Sequence, residues 1–206
     1  MTGVNTEKII AYLQDTYHPR SLLVYGSYTR GDMDEFSDFD CMIIVDAKEK
    51  DHDDSVIDGV PLDCFIFTAE EAAAEDIDPF LTAYDSRILF DDGTGAALKD
   101  TVRRYVDEHT VTEAGKKEFI AAWIRKTLRR MRKGDDEGSY RALLFLSESL
   151  EDYCSLRDLF YFGSKKTIAL LKQEDPAGYE LFHRAVTART DDAIRAWAEH
   201  VTAPVS

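Results

Sequence analysis

Two aspartates, Asp38 and Asp40, stand two residues apart at the head of the apolar run Cys41-Met42-Ile43-Ile44-Val45. The run is uncharged and partly β-branched, as a buried strand is. A strand turns successive side chains to opposite faces, so the two carboxylates point the same way. Like charges on one face repel unless a cation lies between them, and a divalent metal is the usual solution. Upstream, Ser21-Leu22-Leu23-Val24-Tyr25 reads as a first strand and delivers the chain into Gly26-Ser27-Tyr28-Thr29-Arg30-Gly31. Gly26 and Ser27 form a tight turn whose backbone N–H and hydroxyl groups suit phosphate oxygens; an ordinary strand-ending turn is the plainer alternative. Downstream, Val60-Pro61-Leu62-Asp63-Cys64-Phe65-Ile66-Phe67 is a further strand whose only charge is Asp63. A lone aspartate in a buried strand is costly, and a metal shared with Asp38 and Asp40 removes that cost. Three unrelated surface or capping aspartates are the alternative. The all-oxygen set suits Mg²⁺ better than zinc, and no histidine stands at a suitable spacing.

Taken in order over roughly residues 22–67, these pieces resemble the DNA polymerase β-type nucleotidyltransferase superfamily. The local form, Gly26-Ser27-Tyr28-x-Arg30-Gly31 with Ser37-Asp38-x-Asp40, is similar to its small-molecule branch, which includes aminoglycoside and lincosamide nucleotidyltransferases. The resemblance implies a transferase that moves a nucleoside monophosphate, AMP from ATP or the equivalent from another NTP, onto a hydroxyl of a small molecule. It implies two Mg²⁺ ions on Asp38, Asp40 and Asp63, one lowering the pKa of the acceptor hydroxyl and one stabilising the pyrophosphate leaving group. Gly26 and Ser27 would hold the β- and γ-phosphates. Arg30 pairs either with a phosphate or with Asp32 or Asp34. A Walker-type loop ending in Gly-Lys-Ser/Thr is absent.

The same resemblance asks for a general base near the acceptor, often a Glu from a helical domain. Leu146-Ser147-Glu148-Ser149-Leu150-Glu151-Asp152 offers three acids, with Glu148 and Asp152 on one helix face at i, i+4. Glu148 is the expected base, and a simple solvated face is the alternative. Gly163-Ser164-Lys165-Lys166 resembles the segment where relatives place a lysine on the triphosphate. A lysine at a helix N-terminus opposes the dipole, which an anion would resolve; Lys165 is the first choice, and a solvated pair the alternative.

The rest of the 206 residues sets the frame. Residues 4–17 have helical spacing, Lys48 to Asp58 reads as a loop between hairpin strands, and Thr68-Ala69-Glu70-Glu71 has capping-box spacing. Asp85 to Phe90 is a further strand, and helical periodicity returns from Thr94 to His109. Beyond residue 111 no strand signal remains: 112–133, 140–162, 165–173, 177–187 and 191–201 read as helices divided by Gly, Asp and Pro turns. The expected fold is α+β: a domain over 1–110 with a small mixed sheet flanked by helices, then an all-α bundle over 111–206 that the resemblance sets against the nucleotide cleft.

Charge is divided unevenly. Residues 1–110 carry 9 Lys and Arg against 25 Asp and Glu, whereas residues 111–206 carry 16 against 15. An acidic first half disfavours a nucleic-acid backbone and suits a cationic acceptor such as an aminoglycoside, though plain solubility accounts for it as well. Antibiotic resistance would be the matching role, and the sequence leaves open whether that is the physiological one. Three cysteines without CxxC spacing read as buried reduced thiols, with Cys41 and Cys64 turned to the core side of their strands. No apolar run is long enough to span a membrane and no secretory signal is visible, so the expected location is cytoplasmic. The sequence leaves open whether subunits associate. The rival readings are a regulatory, protein-modifying or antitoxin-like relative, and a non-catalytic nucleotide-binding module. The long helical half argues against the first, and retention of all three carboxylates against the second.

Overall fold

The computed structural model describes residues 6–31 and 37–203. Asp32 and Asp34, weighed above as partners of Arg30, lie outside the described residues, as do positions 4 and 5 of the first expected helix. The chain divides into two compact units, Met1–Tyr105 and Val106–Ser206.

The first unit runs α1 (Thr6–Tyr17), β1 (Ser21–Val24), α2 (Ser27–Arg30), β2 (Phe39–Val45), β3 (His52–Asp53), β4 (Val56–Ile57), β5 (Val60–Thr68), α3 (Ala69–Ala72), a 3-10 turn (Asp78–Ala83) and β6 (Arg87–Asp91). The helix α4 (Thr94–His109) carries the chain across the boundary. The strands form one mixed sheet in the order β3-β5-β2-β1-β6, with β4 also on β5. β1 lies antiparallel to β2 and β6, whereas β2 and β5 are parallel. The centre of the sheet is where the sequence is most apolar. Six of the seven β2 residues are buried, on both faces, and Asp40 is the exception. Ile9 and Leu13 of α1 close one face over Leu22, Val24, Phe39, Cys41, Ile43, Cys64 and Ile66. Cys41 and Cys64 are thus fully buried free thiols.

The expected hairpin between the two aspartate strands is corrected by the parallel pairing: β2 and β5 are joined by a crossover, and residues 48–58 are not a plain loop. Asp58 and Gly59 have φ of 52° and 85°, the two positive values of a tight primed turn. This turn folds β4 back on β5, with Val56 opposite Pro61 and Ile57 opposite Val60. The same ladder continues to His52 opposite Phe65 and Asp53 opposite Cys64. The capping box expected at Thr68 is formed. The Thr68 hydroxyl accepts from the Glu71 amide, and the Glu71 carboxylate accepts from the Thr68 amide.

The second unit is helical throughout its described elements: α5 (Ala114–Met131), α6 (Asp136–Leu156), α7 (Ser164–Glu174), α8 (Pro176–Ala188) and α9 (Asp191–Thr202). Its core gathers Ile124, Phe145, Leu171, Ala185 and Trp197. Asp135, Asp175 and Thr190 cap α6, α8 and α9 through their side chains. The helix expected over 140–162 begins earlier, at its Asp135 cap, and stops at Leu156. Asp158 adopts φ 53°, and its carboxylate accepts from the Thr112 amide at 2.8 Å and from Lys117 Nζ at 2.6 Å. Those tertiary bonds outweigh the helical periodicity of the Leu159–Phe162 segment.

Candidate active site

β1 ends at Val24, and the chain turns at Gly26, with φ 70° and ψ −146°. A side chain at Gly26 has nowhere to go: a Cβ there would stand 1.9 Å from Asp40 Oδ2 and 2.6 Å from its Cγ. The Asp40 carboxylate fills the space that only glycine leaves, which is the physical reason for that residue at that position. Ser27 opens the single turn of α2, fastened by Thr29 Oγ1 donating to the Gly26 carbonyl at 3.0 Å and by the Gly31 amide donating to the Ser27 carbonyl. Ser27 is half-buried and Arg30, at the end of the turn, is exposed.

Parallel pairing of β2 with β5 sets Asp40 directly opposite Asp63. Asp40 is half-buried, and Asp38, just ahead of β2, is exposed. Gly26, Asp40 and Asp63 are thereby brought together from three successive segments of the sheet. Their field reaches the core behind them. The Tyr25 phenol is raised well above its ordinary pKa, first by burial and then by the charges of Cys41, Asp63 and Asp40. The Cys41 thiol is raised by its hydrogen bond with Cys64, by burial, and by Asp63 and Asp40.

One member of the cluster was not expected. His52 Nε2 lies 2.7 Å from Asp63 Oδ1. An ionised carboxylate only accepts, so the ring N–H is the donor. Spacing from Asp38 or Asp40 gives no hint of this. The signal lies in the Asp58-Gly59 turn: counting back along its ladder puts His52 opposite Phe65, and therefore diagonal to Asp63 on the same sheet face.

Asp53, beside it, is fully buried. It accepts from Tyr12 at 2.9 Å, from Tyr17 at 2.6 Å, and from both the amide and the hydroxyl of Ser55. Burial by itself would raise this carboxyl, but the Ser55 and Tyr hydrogen bonds outweigh it and hold the pKa below the usual carboxylate range.

Among the described residues no three His, Cys, Asp or Glu side chains converge as a ready-made ion cage. The donor chemistry nevertheless fits a hard cation. Asp40 and Asp63 stand paired in register on neighbouring strands, the Gly26 cradle seats Asp40, and Asp38 precedes Asp40 by a strand repeat.

The second unit holds the other predicted residues. Glu148 is exposed on α6. One turn further, Asp152 has an Oδ2 buried without a hydrogen-bond partner among the described residues. Its carboxyl is pushed up to about 7 by burial and then by Glu148 and Glu151, with Lys116 opposing. Of the three acids at positions 148–152, Asp152 is the one whose carboxyl keeps its proton toward neutral pH. Lys165 is exposed in the first turn of α7, behind Gly163 at φ 92°, and Lys166 Nζ sits 4.8 Å over the Phe162 ring.

Residues 6–137 match the family described as nucleotidyltransferase domain. Among solved structures the chain is similar to a nucleotidyltransferase-like protein from Exiguobacterium sibiricum 255-15. That likeness has 12% identity and a TM-score of 0.40 over 96% of this chain and 73% of the other, too distant to carry argument. No curated protein matches the sequence.

Proposed function

The chain belongs to the nucleotidyltransferase domain family and is a transferase of nucleoside monophosphates; from that premise we propose that it moves AMP from ATP to a hydroxyl of a small molecule and releases pyrophosphate. The observation that carries this reading is the Asp40–Asp63 pair, in register across β2 and β5 with Asp40 seated on Gly26. Asp38, Asp40 and Asp63 would hold Mg²⁺, which when bound neutralises triphosphate charge and acidifies the acceptor hydroxyl. The acceptor oxygen attacks the α-phosphorus, the bond to the pyrophosphate oxygen breaks, and the hydroxyl proton leaves to a base. Gly26 and Ser27 line the turn beside the carboxylates and are the groups to hold the outgoing phosphates.

A cationic acceptor, aminoglycoside-like in its amines and hydroxyls, is supported by the excess of 25 acidic over 9 basic residues in positions 1–110. Calorimetry of ATP, GTP, CTP and UTP with Mg²⁺, on wild type and on Asp38→Ala/Asp40→Ala, tests the donor half. Metal-dependent binding of one nucleotide that the double substitution abolishes supports it and names the donor. A folded wild type that binds none of the four removes it. Pyrophosphate release across a panel of polyamine and polyol acceptors then tests the acceptor class.

A further inference from the structure

We propose that His52 is a positioning residue of the carboxylate site, holding Asp63 in the orientation a divalent cation needs; this rests on the metal reading above. The ring Nε2–H donates to Asp63 Oδ1 at 2.7 Å, which takes up one oxygen and leaves Oδ2 for the ion. The His52 ring also lies 4.9 Å from Phe65, tilted by 56°, so packing and hydrogen bond fix it together.

The fold holds this histidine in place with unusual thoroughness for so short a strand. Its neighbour Asp53 is fully buried and receives hydrogen bonds from Tyr12 and Tyr17 of α1 and from Ser55. On either side the ladder to β5 continues, through the Leu62 amide to the Ser55 carbonyl and the Ile66 amide to the Asp51 carbonyl, both 2.9 Å. Strand β3 cannot slide without breaking these bonds, and a slip of one residue would turn His52 to the opposite face.

Stability does not explain the contact. Both side chains are about two-fifths exposed, 40% and 38%, and an exposed pair of this kind contributes little to folding. What the bond does is restrict a carboxylate that stands in register with another carboxylate. A free Asp63 would swing away from Asp40 by repulsion, and a held one stays where a cation can bridge the two. Partners that orient metal-ligating side chains typically set affinity by about 10–100-fold.

Two variants separate the donor from the packing. His52→Phe keeps a ring against Phe65 and removes the N–H, whereas His52→Gln keeps an N–H at a comparable reach and removes the ring. Mn²⁺ binding to the full chain is read by electron paramagnetic resonance, with circular dichroism reporting the fold of each variant. The expected result is a loss of about tenfold or more in Mn²⁺ affinity for His52→Phe, with His52→Gln within about twofold of wild type. Pulsed measurements should show no imidazole nitrogen coupled to the Mn²⁺. Wild-type affinity in His52→Phe overturns the proposal, as do equal losses in both variants or a nitrogen coupling that makes His52 a ligand. A wild type that takes up no Mn²⁺ removes the metal reading and this inference with it.

Discussion

Gly26 shows how much a single absent side chain decides. With a Cβ position 1.9 Å from Asp40 Oδ2 and φ at +70°, Gly26→Ala must both strain the turn and push the carboxylate off its seat. The expected cost is about 1–3 kcal/mol in stability, together with loss of Mg²⁺-dependent nucleotide binding by calorimetry. Full nucleotide affinity in a folded Gly26→Ala would show that the seat is irrelevant to function. Asp53 makes the opposite kind of residue-scale case, a buried charge that is fully satisfied. Replacing it by Asn leaves hydroxyl donors facing an amide N–H₂, at about 2–4 kcal/mol in urea unfolding. Its folded pKa lies below the unfolded value, so its stabilisation is complete above about pH 4 and is lost as pH falls. Asp53→Asn is therefore expected to flatten the acid limb of the stability profile, and an unchanged acid limb would refute this.

At the scale of elements, α3 is only four residues long, too short to be stable by propagation, so its capping box carries it. Lys48 Nζ donates to Glu71 at 2.6 Å and ties that box to the crossover. Thr68→Ala removes a hydroxyl that both accepts from and donates to Glu71, and thermal unfolding should report a loss of about 1 kcal/mol. This box is legible in sequence because it is local: four consecutive residues contain the whole interaction. The Asp40 strand is legible for a similar reason, since a charge at the head of an apolar run reads directly. The parallel register of β2 and β5 is not legible, because nothing local distinguishes a crossover from a hairpin. The end of α6 is likewise hidden, since Asp158 stops it through Thr112 and Lys117, more than forty residues away in sequence. His52 lies between these cases. The Asp58-Gly59 turn announces its ladder, but the histidine's partner emerges only when the ladder is counted back across the whole crossover.

At the scale of the molecule, the two units have separate cores, and both tryptophans, Trp123 and Trp197, belong to the second. Tryptophan fluorescence therefore follows the helical unit by itself. That unit contains Asp152, whose carboxyl holds its proton up to about pH 7. A folded pKa above the unfolded value means that the native state binds the proton more tightly. The contribution is thus fully present below about pH 4 and declines as pH rises through 7. With solvent screening on its exposed side, the decline amounts to about 2–3 kcal/mol. Asp152→Asn cannot ionise, so its urea midpoint by fluorescence should match wild type near pH 4 and exceed it at pH 8. A variant with no gain at pH 8 would show that burial on α6 does not hold the proton at all.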